Sequence, residues 1–272
     1  MTRSSRSGDV KFAIVPFLLL TVVVPPILAI ALQTWIVPAL IPSVVLLAWA
    51  VGFMAWRRID VRGLVGAWPA ARVLLRWCAI NSVATLLVNG AVLLLAVSLP
   101  SGADLERSLS FDVASRDLTG VALLAACLRP FLDVLVMQGL VLRNLLERLG
   151  ARGAVLASAV VAAVVHADPL FLMHFGGAIV LAVAYVETRS LWTVLVMEFA
   201  AFAVLLAVAG GVEGFATAAP VLATQVRHAW QSGPVACGVA ALLMAWVALV
   251  AWVFARVPSQ PRTGDAAPLA AA

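Results

Sequence analysis

Six ionisable or strongly polar side chains, Arg129, Asp133, Gln138, His166, His174 and Glu198, fall inside stretches otherwise apolar enough to cross a bilayer. A charge at the bilayer centre costs about 2.5–3.5 kcal/mol on insertion scales, so such residues face a bundle interior or a wet cavity and mark a working site. A carboxylate beside a neutral imidazole in such a cavity can act as general base toward water, and that is the chemistry expected of Asp133 with His166 if the two meet. Attack on an amide also needs donors for the developing oxyanion. Gln138, Trp192 and the backbone near Asp168-Pro169 are the candidates. Two histidines and two carboxylates have the chemistry to hold zinc, but no HExxH-like spacing is present, so zinc is disfavoured and no cofactor is expected.

Each residue also has a plainer reading. Arg129 and Asp133 stand four apart and can form an ion pair on one helix face. His166 and His174 can be neutral imidazoles bonded to backbone carbonyls, or can line the outer surface near the loop at Asp168. Glu198 has no partner nearby in sequence; protonated, paired with a histidine or facing water, it belongs in the bundle interior.

The elements that must position these groups follow from composition. The chain is 64% hydrophobic and 11% charged over 272 residues, against roughly 25% charged in soluble domains, which makes it a polytopic membrane protein. Its net charge of +5 comes from small basic clusters at the ends of apolar runs, the pattern of membrane orientation rather than nucleic-acid binding. Cys78, Cys127 and Cys237 lie in apolar runs without CxxC or Cys/His spacing and read as buried structural thiols. Arg3, Arg6 and Lys11 before an apolar stretch and Ala29-Ile30-Ala31 resemble a cleavable leader. The run 12–32 is nevertheless long enough to span the ~30 Å hydrocarbon core, and a retained helix bent at Pro25-Pro26 is expected.

Eight helical spans are expected, at 12–32, 36–56, 74–99, 118–142, 154–167, 170–187, 190–209 and 234–256, forming a single all-α membrane domain over 11–257 between disordered tails at 1–10 and 258–272. With both termini cytoplasmic, the inner segments hold Arg3, Arg6, Lys11, Arg57, Arg58, Arg62, Arg72, Arg76, Arg143, Arg148, Arg152, Arg189, Arg256 and Arg262. The outer segments hold only Arg107, Arg116 and Arg227, and that imbalance sets the orientation. Gly210-Gly211 and Gly214 read as a loop, and no fixed-period repeat or helical GxxxG pair is evident. Counting the 1.5 Å rise from the cytoplasmic ends puts Asp133 ~15 Å deep, Glu198 ~13 Å, and His166 and His174 ~20 Å each. Four successive helices thus bring titratable groups to one layer.

The stretch from about Leu132 to Leu205, within a core domain at 118–209, resembles the CPBP (Abi) family of intramembrane proteases, related to the prenyl-protein CAAX endopeptidase. Family motifs EExxxR-Gly, FxxxH, a run like YxRTGSLW, and HxxxN correspond here to Asp133-Val134 through Gln138-Gly139, Ala162 through His166, Tyr185 through Trp192, and Glu198 through Phe202. Gly139, Arg143, Leu149-Gly150, Ser158, His166 and Ser190-Leu191-Trp192 match the framework. In the family the first Glu and the FxxxH histidine activate water and the HxxxN pair holds the oxyanion. The resemblance therefore implies Asp133, His166 and Glu198 as catalytic, with Arg129, Gln138, His174 and Phe202 around the substrate. It departs where Val134 replaces the second Glu, Gln138 the Arg, Glu198 the second His and Phe202 the Asn.

Two functions follow as expectations. The first is a divergent intramembrane endopeptidase acting on a membrane-anchored peptide or protein in a bacterial plasma membrane. The second is a catalytically silent relative that binds a membrane partner as an immunity, scaffold or export-accessory factor. A proton- or ion-coupled transporter is a third class, disfavoured because the halves lack inverted-repeat symmetry.

Overall fold

The computed structural model describes residues 24, 36–56, 58–98, 128, 130–166, 171–216 and 233–258, with side chains described except at 36–43, 93, 95–98, 166, 171–172, 205–206 and 208–216. The elements are α1 (Ile36–Trp56), α2 (Val61–Val65), α3 (Ala71–Ser98), a π-helical segment (Val134–Leu142), α4 (Arg143–His166), α5 (Phe171–Thr188), α6 (Leu191–Ala216) and α7 (Pro234–Ala255). No strand occurs among the described residues. By length and composition, Ala71–Val92, Pro130–Val165 and Pro234–Ala255 suffice to cross a membrane, and Val44–Trp56, Met173–Thr188 and Leu191–Val204 are shorter apolar helices. The expected spans at 36–56, 74–99, 170–187, 190–209 and 234–256 correspond to α1, α3, α5, α6 and α7. The expected span 12–32, the tail 1–10 and most of the tail 258–272 lie outside the described residues.

Pro130–Val165 is not one rod. Asp133 and Ala162 border the same cavity, whereas a straight helix would separate them by ~43 Å. The chain reverses at Gly150, whose φ of 69° and ψ of 174° interrupt α4 in a backbone region that is essentially glycine-only. The expected loop 143–153 is thus a helix up to Leu149 and a one-residue turn. Gly210, Gly211 and Gly214 lie within α6 rather than in a loop; a helical glycine costs only about 1 kcal/mol relative to alanine, which an otherwise apolar helix absorbs. The expected loop 57–73 contains α2, capped by Asp60, whose carboxylate accepts from the Arg62 and Gly63 amides at 3.0 and 2.9 Å.

The π segment is buried on every side and packs against α4, α5 and α6; α5 in turn also touches α3, α4, α6 and α7. Without a hydrophobic drive between helices in lipid, such packing relies on small residues. Ala154, Ser158, Ala159 and Ala162 form the buried face of α4, the helix that packs on α5. The Trp246 ring lies where a side chain at Gly176 would be, and Gly139 carries the Leu191 and Leu64 methyls 3.2 and 3.5 Å from where its Cβ would stand. Gly66, at φ 75°, sits directly against the Arg189 carbonyl. Outward positions carry exposed Val83, Leu86, Leu156, Val160, Val164, Met244 and Val247, as lipid contact requires. Cys237 is likewise exposed and Cys78 only half-buried. This corrects the expectation of buried thiols: a membrane helix faces apolar solvent, so an apolar thiol needs no burial. Cys127 lies outside the described residues.

The basic residues gather at one end. Arg76 pairs with Glu187, Gly66 abuts Arg189, and Arg152 Nε donates to the Val257 carbonyl at 3.0 Å. Tryptophans share this end: Trp68 and Trp192 rings lie 5.5 Å apart, and the Arg256 guanidinium sits 3.6 Å over Trp252. Arginine and tryptophan together are the composition of a membrane–water interface.

Candidate functional site

A cavity of about 320 Å³ lies between α3, the π segment, α4, α5, α6 and α7, within the ~300–1,000 Å³ range of small-ligand sites. Asp133, Val134, Met137 and Gln138 form one wall, Met173, His174, Gly177 and Leu181 of α5 a second, and Glu198, Ala201 and Phe202 of α6 a third. Ala162 and Trp246 complete it from α4 and α7. Five of the seven residues expected at the site, Asp133, Gln138, His174, Glu198 and Phe202, therefore border one space.

Local structure explains how. Asp133 immediately precedes the π segment, whose i→i+5 bonding stacks Gln138 above it, and single π turns recur at functional sites. Asp133, His174 and Glu198 are half-buried, and all three border the cavity. Gln138 is 4% exposed, and its Oε1 has no hydrogen-bond partner among the described residues. A buried acceptor of this kind requires a ligand or water to satisfy it.

The two remaining residues are not placed at this level of detail. Arg129 lies outside the described residues. The backbone of His166 ends α4 one turn beyond cavity-lining Ala162, and its imidazole is not described. Trp192, a candidate oxyanion donor, is not in the cavity: it stands at the basic end, 39% exposed and against Trp68. The reason is its position at the start of α6, two helical turns before Glu198. Among the described residues no three His, Cys, Asp or Glu side chains form a metal-ligand set.

A further wall was not foreseen. Asn81, Thr85 and Asn89 of α3 line the cavity together with Ala84 and Val88. Asn81 Nδ2 donates to the Met197 carbonyl at 3.0 Å and Asn89 Nδ2 to the Thr85 carbonyl at 2.8 Å. These groups carry no charge, and their i, i+4, i+8 spacing is the signal that marks them as one helix face.

A cavity bordered by carboxylates and apolar side chains thus lies within a helical bundle whose exterior is apolar. Residues 115–204 match the family model described as type II CAAX prenyl endopeptidase Rce1-like. The matched stretch takes in the π segment, α4, α5 and the first half of α6, and so covers three of the cavity's walls. No curated protein and no solved structure matches the chain. The family match and the apolar exterior together make it an integral membrane protein carrying a CPBP protease-like region.

Proposed function

We propose that the chain is a divergent CPBP/CAAX-type intramembrane endopeptidase that hydrolyses a peptide bond of a membrane-associated substrate. The observation that carries this reading is the cavity bordered by Asp133, His174 and Glu198 from three elements of the family-matched stretch. Asp133, assisted by His166, takes a proton from a water molecule whose oxygen attacks the substrate carbonyl. The carbonyl oxygen becomes an oxyanion, and Glu198 in its protonated form donates to it. Collapse of the intermediate expels the amine, which takes up the proton held by Asp133. Gln138, His174, Phe202 and Arg129 surround the substrate. No metal or cofactor enters this scheme. In the proposed orientation the basic, tryptophan-rich end faces the cytoplasm of a bacterial cell.

The test is cleavage of a membrane-anchored peptide by the purified chain in proteoliposomes. Wild type is expected to produce two fragments, and Asp133→Asn and His166→Ala to lose at least a hundredfold in rate with folding unchanged, in keeping with the usual 10²–10⁴-fold worth of a general base. Equal rates in all three would remove the reading.

A second reading is favoured by Val134, Gln138 and Phe202, uncharged side chains bordering the cavity where the family motifs carry polar or charged groups. Under it the chain captures a membrane protein or peptide without cleaving it, as an immunity, scaffold or export-accessory factor. Co-purification that survives Asp133→Asn and His166→Ala, without fragments, would favour it.

A further inference from the structure

The polar face of α3 is expensive to maintain in a membrane, yet among the described residues only one of its three members bonds to another helix. Asn81 bonds across to α6, whereas Asn89 bonds within its own helix. In both cases the amide nitrogen donates to a backbone carbonyl, and Oδ1 is the acceptor the side chain has to offer. Thr85 lies between them in the register of the helix, and all three residues border the cavity. On the neighbouring wall the buried Gln138 Oε1 is a further acceptor without a partner among the described residues.

The spacing of these groups has a chemical match. Residues four apart on an α-helix rise by about 6 Å. Two residues of an extended chain advance by about 6.7 Å, and its N–H groups at alternate residues leave the same edge. Three rungs over ~12 Å of helix therefore meet the N–H groups of alternate residues along about five residues of extended polypeptide.

We infer that Asn81, Thr85 and Asn89 form a rail that holds the main chain of an extended peptide along the cavity, with Gln138 receiving an N–H from its other edge. The ligand class is polypeptide backbone, recognised independently of its side chains, and small Gly177 and Ala162 leave room beside it. This extends the endopeptidase reading above, because a rail of this kind straightens a membrane helix and presents its carbonyls to Asp133.

The experiment uses the purified full-length chain in detergent micelles and a fluorescent peptide of alternating valine and threonine, whose β-branched residues favour extension. Binding is followed by anisotropy and cleavage by mass spectrometry of the same samples. Replacing single backbone N–H groups by N-methyl along the peptide is expected to weaken binding with a two-residue period, each sensitive position losing roughly two- to tenfold. Thr85→Val and Asn89→Leu are expected to weaken the parent peptide by a similar factor, with thermal midpoints unchanged. Periodic binding without cleavage would uphold the rail and count against hydrolysis. Cleavage with no periodicity would overturn the rail and leave hydrolysis standing. A peptide that does not bind, or that binds both variants like wild type, overturns the rail.

Discussion

The side-chain amide of Asn81 on α3 donates to the backbone carbonyl of Met197 on α6 at 3.0 Å, buried and 116 positions apart in the chain. It fixes the register of two helices at the wall of the cavity. Interhelical hydrogen bonds in membranes average about 0.6 kcal/mol and reach about 1.7. Asn81→Leu, close in volume, is therefore expected to destabilise the bundle by about 1 kcal/mol, read as a lowered midpoint in thermal unfolding in detergent. An unchanged midpoint would mean that the bond carries no stability.

Gly176 and Gly177 are neighbours with opposite demands. Gly176 is occupied by the Trp246 ring, and Gly177 has nothing within 4 Å of where its Cβ would stand. Gly176→Ala should cost about 1–3 kcal/mol by overpacking. Gly177→Ala should be neutral or stabilising by up to about 1 kcal/mol through helix propensity. Gly177→Leu should fill the cavity and lower peptide cleavage while the thermal midpoint stays near wild type. If the two alanine variants melt alike, the packing described for Trp246 is wrong.

The reversal at Gly150 should tolerate no side chain. With φ at 69° and ψ at 174°, Gly150→Ala is expected to cost about 1–3 kcal/mol from backbone strain alone, since its Cβ would meet nothing within 4 Å. Chemical or thermal unfolding of the purified variant measures this directly. Wild-type stability would place the turn elsewhere.

Orientation has its own readout. A single cysteine introduced as Arg62→Cys in a chain with Cys78, Cys127 and Cys237 replaced should react with a membrane-impermeant maleimide only when the cytoplasmic side is opened. Labelling of intact spheroplasts would invert the proposed topology.

Legibility from sequence differed by residue for physical reasons. Asp133, Gln138, His174 and Glu198 are conspicuous because a charge or amide in an apolar run is energetically out of place, and the expected depths of three spans put Asp133, His174 and Glu198 in one layer without showing that they face one space. Asn81, Thr85 and Asn89 carry no charge, and what marks them as one face of α3 is their four-residue spacing. The lengths of α1 and α7 follow from bilayer thickness. The π segment is not legible: Val134–Leu142 contains no residue that disfavours ordinary α-helical bonding. The turn at Gly150 and the short α2 were hidden in basic stretches read as loops, where Asp60 as a cap was the available clue. Trp192 was misjudged because type suggested a donor while its place at the interfacial end of α6 assigns it to the aromatic belt.

The central claim is that Asp133 activates water inside the cavity to break a peptide bond, and its most direct measurement is cleavage of a membrane-anchored peptide in oxygen-18 water. The account predicts one oxygen-18 atom in the new carboxyl terminus formed by wild type, and no product from Asp133→Asn at an unchanged thermal midpoint. Intact peptide with wild type, or equal labelled product from both proteins, would contradict it.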